Sequence, residues 1–265
     1  MSLPVPYHFI ERQMQRVGLR PVARQEGFAP LRPDAPFWVV GDIHGRRDLL
    51  DQMLTRLIMD PVVFVGDLID RGPDSRAVLE RVFDLSSRDD QKVHVIKGNH
   101  EQLLLDFLHD PEGVGPAWMR SGGLQTLESF GISLSTGVQS EAAYRDARDA
   151  LDQAMGPAMV TWLQSLPFIW SSGNVHVVHA GADPARPMDA QDPNHLCWGH
   201  RDFEHTMRSD GQWVVHGHVI VREATRAQGR IAIDTGAYAT GILTAAHVSA
   251  GALDFVTTGA PVRDQ

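Results

Sequence analysis

The sequence predicts an α/β fold, and three features predict it. Its apolar fraction can fill one core, its short β-branched runs all close on glycine and a polar residue, and leucines recur at helical spacing between the first two runs. The chain has 265 residues, 43% apolar and 22% charged, which suits a single domain with an inserted region and excludes a disordered or fibrous chain.

Residues 1–36 hold many prolines and arginines around one short amphipathic stretch, YHFIERQMQRVG, and read as an arm packed on the main body. Residues 37–258 read as the domain and 259–265 as a tail. FWVV runs into Gly41-Asp42, VVFV into Gly66-Asp67, and VHVI into Lys97-Gly98-Asn99-His100. VHVV runs into His179-Ala180-Gly181, and WVV into His216-Gly217-His218. Each run is the signature of a buried strand. Between the first two, Leu49, Leu50, Met53, Leu54, Leu57 and Ile58 form one apolar stripe, so strand, helix and strand make a βαβ unit. A second helix follows GNHE through QLLLDFL, and two more occupy about 140–166 before Pro167, making 101–166 a mostly helical insertion. After Gly229, the runs RIAIDTG, GILTAAHV and ALDFV predict antiparallel strands closing the sheet.

A formal charge of −9 argues against a broad grip on nucleic acid or an anionic membrane. No apolar run reaches the length of a transmembrane helix, and the N-terminus lacks the basic-then-apolar pattern of a leader, so a cytoplasmic location is expected. The one cysteine, Cys197, permits no internal disulfide and reads as a small buried residue. Nothing in the sequence indicates an oligomeric state.

In an α/β sheet, the loops leaving the carboxyl ends of neighbouring strands converge on one crevice. There the topology can gather Asp42, His44, Asp67, Asn99, His100, His179 and His218. Carboxylate, amide oxygen and imidazole without thiolate favour Mn, Fe or Zn over a structural zinc knot. Such a set is too large for one tetrahedral ion and suits two, about 3.5–4 Å apart, bridged by a carboxylate and a water or hydroxide. Alone, Asp42 and His44 would decorate a turn or cap a helix, and Asn99 would be a helix cap. Strand alternation separates His176 from His179, which makes His176 a packing or strand-edge residue. His216 either shares the face of His218 and touches what binds there, or fills space. His8, His94, His109, His195, His205 and His247 belong to no motif and read as surface or packing residues.

GDIHG at 41–45, GDLIDRG at 66–72 and GNHE at 98–101 resemble, in order and spacing, the three signature motifs of the phosphoprotein phosphatase family, part of the calcineurin-like metallophosphoesterases. HAG at 179–181, HGH at 216–218 and DTGA at 234–237 extend the resemblance over about residues 37–245. WMRSGGLQTLESFG and IDTGAYATGILT look more like the bacterial and phage branch, which includes lambda phage phosphatase and symmetrical diadenosine tetraphosphatase. The resemblance implies central mixed β-sheets, a β-sandwich, flanked by helices and carrying a helical insertion.

It also implies roles. Asp42 and His44 would hold one divalent ion, Asp67 would bridge, and Asn99, His179 and His218 would hold the second, with Mn as the first choice and Fe or Zn as alternatives. His100 resembles the general acid, oriented by Asp70, and Arg71 would grip the phosphate with its planar guanidinium. The bridging hydroxide would attack directly, without a phosphoenzyme. This chain departs from its relatives in two places. CWGHRDF stands where they often carry tryptophan, one residue, then arginine, so Arg201 or His200 takes that phosphate-binding place, with Arg201 favoured. Val219 follows His218 where that branch usually has threonine.

The expected function is a metal-dependent phosphomonoesterase acting on phosphoserine or phosphothreonine in proteins, with small phosphoesters as further substrates. Symmetrical dinucleoside tetraphosphate hydrolysis is the alternative, and a non-catalytic metal-bound scaffold the second alternative. The insertion at 101–166 and the rim at 183–213 would decide between substrates.

Overall fold

A computed structural model of the chain describes residues 20–21, 27–57, 60–88, 92–134 and 140–259. Most of the expected arm, including the stretch at 7–18 with His8, lies outside the described residues, as do Ile58 and all of the expected tail except Gly259.

The strands are β1 (Arg20–Pro21), β2 (Phe37–Val40), β3 (Val62–Phe64), β4 (Val93–Val95), β5 (Ile169–Ser172), β6 (Val175–Val178), β7 (Trp213–His216), β8 (Thr225–Ala227), β9 (Arg230–Ala232), β10 (Thr244–Ser249) and β11 (Ala252–Thr257). They form two mixed sheets, ordered β1-β11-β10-β2-β3-β4 and β5-β6-β7-β9-β8. In the first, β2, β3 and β4 are parallel in the register Trp38↔Val62 and Val62↔Val93, while β10 is antiparallel to β2 and β11. In the second, β6, β7 and β9 are parallel, with β5 and β8 antiparallel at the edges.

Two-residue alternation explains why the runs are apolar throughout. Phe37, Val39, Val63 and Val65 share one core cluster with Val175, Val177, Trp213, Val215 and Ile231, so the two sheets bury these faces against each other. The opposite faces of β2 and β3, with Trp38, Val40 and Phe64, pack on helices. On the outer face of the second sheet, Val178 and Val214 meet Leu196 and Phe203. The five predicted runs therefore do not lie in one sheet. Three enter the first and two the second, and β9 runs parallel to β7 instead of closing the sheet antiparallel. A run buried on both faces reads alike in either sheet, so only long-range pairing assigns it.

Helix α1 (Arg47–Leu54) buries Leu49, Leu50 and Met53 of the expected stripe and ends before Leu57. Helix α2 (Ser75–Ser86) buries Val78, Leu79 and Val82 at helical spacing and was not anticipated. The insertion holds α3 (Asn99–His109), α4 (Pro111–Trp118), a π-helical turn (Met119–Gly123), α5 (Leu124–Ser129) and α6 (Glu141–Ser165). α6 breaks at Gly156, whose φ of 73° and ψ of 161° precede Pro157, which yields the two expected segments. Periodicity assigns no helix to α4 or the π turn, whose PEGVGPAW and MRSGG are rich in glycine and proline. α4 forms nonetheless, with Pro111 in its first turn and the Asp110 carboxylate accepting the Gly113 N–H. A short helix, α7 (Pro193–Trp198), follows the second sheet's β6.

Candidate metal centre

The carboxyl ends of β2 and β3 deliver Asp42, His44 and Asp67, while the turn after β4 delivers Asn99 and His100 at the start of α3. The second sheet supplies His179 after β6 and His218 after β7. The crevice thus lies where strands of both sheets end. Its turns carry non-glycine residues at positive φ: His44 at 46°, Asp67 at 50°, Asp70 at 70°, Arg71 at 67° and His218 at 63°. This conformation is costly for L-residues, and the surrounding hydrogen bonds hold it in place.

Glu101 supplies many of those bonds. Fully buried in the first turn of α3, it accepts the N–H groups of Asp67 at 2.8 Å and Gly98 at 3.0 Å on one oxygen, and of Leu68 at 2.8 Å on the other. It locks the β3 turn to the β4 turn. Sequence reading quoted Glu101 within GNHE and gave it no role; a carboxylate placed three residues after a glycine N-cap was the available signal.

Asp67 is the hub. Its Oδ2 lies 3.5 Å from His44 Nε2 and 3.8 Å from His100 Nε2, while its Oδ1 lies 3.4 Å from His179 Nε2 and accepts the His100 N–H at 3.1 Å. Asn99 Oδ1 stands 2.8 Å from His179 Nε2 and 2.9 Å from His218 Nδ1. Asp42 adjoins them, its carboxylate accepting the His218 N–H at 3.1 and 3.3 Å.

These residues fit a pair of divalent cations. His44 Nδ1 lies 2.7 Å from the Ile69 carbonyl and His179 Nδ1 2.9 Å from that of Val65, which places the ring proton on Nδ1 and leaves the Nε2 lone pairs facing Asp67. Burial pushes the His44 imidazole down to about 3 and His218 to about 4, so both are neutral donors at neutral pH. Burial first, then the carboxylates of Asp234 and Asp67, drive Asp42 well above the carboxylate range. Buried acids crowded in this way repel one another unless cations lie between them. Burial opposes ionisation of Asp67, but His179, His100 and His44 outweigh it and hold its carboxyl low.

Beside the hub, Asp70 Oδ2 is 2.6 Å from His100 Nδ1 and accepts the Trp118 Nε1–H at 2.9 Å. Thr126 donates to Asp70 Oδ1 at 2.5 Å. Trp118 and Thr126 come from the insertion, inside WMRSGGLQTLESFG, a stretch whose resemblance to the bacterial and phage branch carried no role for either residue. Arg71 places Nη2 3.2 Å from His100 Nε2 and stacks over the Tyr238 ring at 4.8 Å. It opens onto a cavity of about 400 Å³, lined also by Arg120, Ser121, Gly122, Gln125 and Tyr238.

The structure does not bring Arg201 or His216 into this group. The Arg201 side chain is 89% exposed and meets only Asp202 among the described contacts. His216 is buried with its ring edge on Phe203 and Nδ1 3.1 Å from the Gly217 carbonyl, because alternation along β7 turns it to the outer face of the second sheet. His176 bonds Ser171 and Gln212 at 2.7 and 2.9 Å and packs along β6. Cys197 is buried.

Among the described residues no helix is long and apolar enough to cross a membrane. A family model for calcineurin-like phosphoesterases matches residues 35–222, which includes every residue of the centre. A serine/threonine-protein phosphatase of Salmonella typhimurium is 39% identical over 90 residues, 32% of this chain and 38% of that protein. An asymmetrical bis(5'-nucleosyl)-tetraphosphatase of Oceanobacillus iheyensis is 25% identical over 227 residues, 75% of this chain and 82% of that protein. A serine/threonine phosphatase structure from Saccharomyces cerevisiae superposes with a TM-score of 0.56 at 18% identity, covering 88% of this chain and 82% of that one, and so shares the fold.

Proposed function

The chain belongs to the calcineurin-like phosphoesterases, and from that premise we propose that it is a metal-dependent phosphomonoesterase whose first substrates are phosphoserine and phosphothreonine in proteins. The observation that carries this reading is the Asp67 carboxylate, shared between His44 and His100 on one oxygen and His179 on the other, with the His100–Asp70 pair beside it. Asp42, His44 and Asp67 would hold one divalent ion, and Asp67, Asn99, His179 and His218 the other, Mn being the first choice on donor chemistry. When bound, the ions supply positive charge that lowers the pKa of water and neutralises phosphate.

The protein's own residues do the rest. Arg71 offers guanidinium hydrogens to the phosphate oxygens, and its stacking on Tyr238 holds the plane in place. His100 presents Nε2 beside that guanidinium and gives its proton to the departing oxygen. Asp70 keeps the ring oriented and its proton affinity high. The cavity lined by Arg120, Ser121 and Gln125 receives the part of the substrate beyond the phosphate.

Dinucleoside tetraphosphate hydrolysis is the second reading, favoured by the relative of that name, which aligns over 75% of this chain. The alternative expected from sequence is the symmetrical cleavage. Rates measured side by side on a phosphopeptide and on diadenosine tetraphosphate decide between the two, and the products of the latter separate symmetrical from asymmetrical cleavage. Turnover of the dinucleotide alone would remove the protein-phosphatase reading. A non-catalytic scaffold would leave an aryl phosphate untouched after manganese loading.

A further inference from the structure

The turn leaving β6 and the helix α7 carry metal-type side chains that the reading above leaves unused. Asp183 lies in that turn, His195 on α7 and His200 just beyond it. Gly199 ends α7 at φ 92° and ψ 165°, a conformation open to glycine, and folds His200 back until its ring meets that of His195 edge-on at 4.5 Å. The ligand-type atoms of Asp183, His195 and His200 then all lie within 4.8 Å of one another.

The spacing suits an ion better than a direct bond. Asp183 Oδ2 and His200 Nε2 are 3.9 Å apart, beyond hydrogen-bond reach. Donors held tetrahedrally around zinc at 2.0–2.2 Å stand about 3.3–3.6 Å apart, so the Asp183–His200 pair contracts by roughly half an ångström to reach that spacing. Asp183 Oδ1 already accepts the Ala185 N–H at 2.9 Å, which leaves Oδ2, the atom facing His200, for a ligand. His195 Nδ1 is buried and has no hydrogen-bond partner among the described residues, so no bond in the protein competes for it. Asp202 stands on the far side of His200, its N–H 3.3 Å and its Oδ2 4.0 Å from Nδ1. An ion on Nε2 puts the ring proton on Nδ1, so on binding the Asp202 N–H that now donates to Nδ1 turns away and the Asp202 carboxylate closes from 4.0 Å to accept that proton. The Asp183 and His200 side chains are 18% and 15% exposed, so the group opens to solvent for entry of an ion and a water.

We propose that Asp183, His195 and His200 bind one divalent ion of the zinc class, with water as the fourth ligand, outside the Asp67 centre. Two imidazoles and one carboxylate select zinc over calcium or magnesium. The site braces the segment behind the centre, since the Ala180 N–H, next to His179, donates to the Leu196 carbonyl on α7 at 2.8 Å.

The test is metal content per chain after demetallation, reloading with excess zinc and desalting. Wild type is expected to retain one ion more than His195→Ala and one more than His200→Gln. Asp67→Asn, which weakens the main centre, is expected to keep the additional ion and to lose it when His200→Gln is added. Melting curves recorded without metal check that the variants fold, and the more conservative His200→Gln serves if His195→Ala does not. A zinc count that is the same in wild type and both histidine variants overturns the site. A count that falls by one in these variants but starts at one instead of three keeps this site and removes the dinuclear centre.

Discussion

His100 Nδ1 lies 2.6 Å from Oδ2 of Asp70, a carboxylate with no exposure to solvent. Burial alone would strip the proton from this imidazole, but the carboxylates of Asp67 and Asp70 outweigh burial and hold its pKa above the ordinary histidine range. Trp118 and Thr126 keep Asp70 in place, so the insertion fixes the acid as well as the rim.

His100→Asn is expected to lower turnover by roughly 10²–10⁴-fold, most for phosphoserine and least for an aryl phosphate with a good leaving group. Equal losses across leaving groups, measured as kcat on a substituted phenyl phosphate series, would contradict the role.

Asp70→Asn should move the pH profile. An acid works only while protonated, so turnover holds below the raised pKa of His100 and is lost as pH rises through it. Removing the neighbouring anion lowers that pKa, and the alkaline limb is expected to shift to lower pH. An unmoved limb would assign that titration to another group.

Removing the ions with a chelator should abolish hydrolysis of an aryl phosphate, and manganese should restore it. Asp67→Asn should lower metal content at the whole centre, because an amide cannot replace an anion that faces both sides. Full occupancy of both positions in that variant, read by elemental analysis, is the contrary result.

Glu101→Gln places an amide hydrogen against backbone donors that now share carboxylate oxygens. The expected loss is roughly 2–4 kcal/mol of folding stability, the cost of orphaning buried donors, measured by urea denaturation. A change under about 0.5 kcal/mol would show that the latch contributes little.

Gly217→Ala tests close approach at the second sheet. A Cβ there would stand 1.9 Å from Asp42 Oδ1 and 2.9 Å from Val65 Cγ2, so the Asp42 carboxylate must move. Activity is expected to fall by roughly 10²-fold, the usual effect of about an ångström of misplacement, with reduced metal content and a near-normal melting curve. Unchanged metal content and activity would mean that Asp42 tolerates displacement.

By itself the sequence determined the α/β class, the strand runs and the residues that meet at the crevice. Each of those runs ends in its own short motif, and the motifs are local patterns. The break in α6 was legible too, since Gly156-Pro157 interrupts the helix wherever the chain folds. Tertiary structure alone decided which sheet each run joins, because Val39 and Val177 are equally apolar and only pairing partners distant in sequence separate them. It decided the support of the acid as well, since Trp118 and Thr126 reach Asp70 from two different helices of the insertion. The outward turn of His216, the exposure of Arg201 and the meeting of His195 with His200 have the same origin. Local spacing reports which face a side chain takes on its own element, whereas contact between elements depends on packing that the whole chain settles at once.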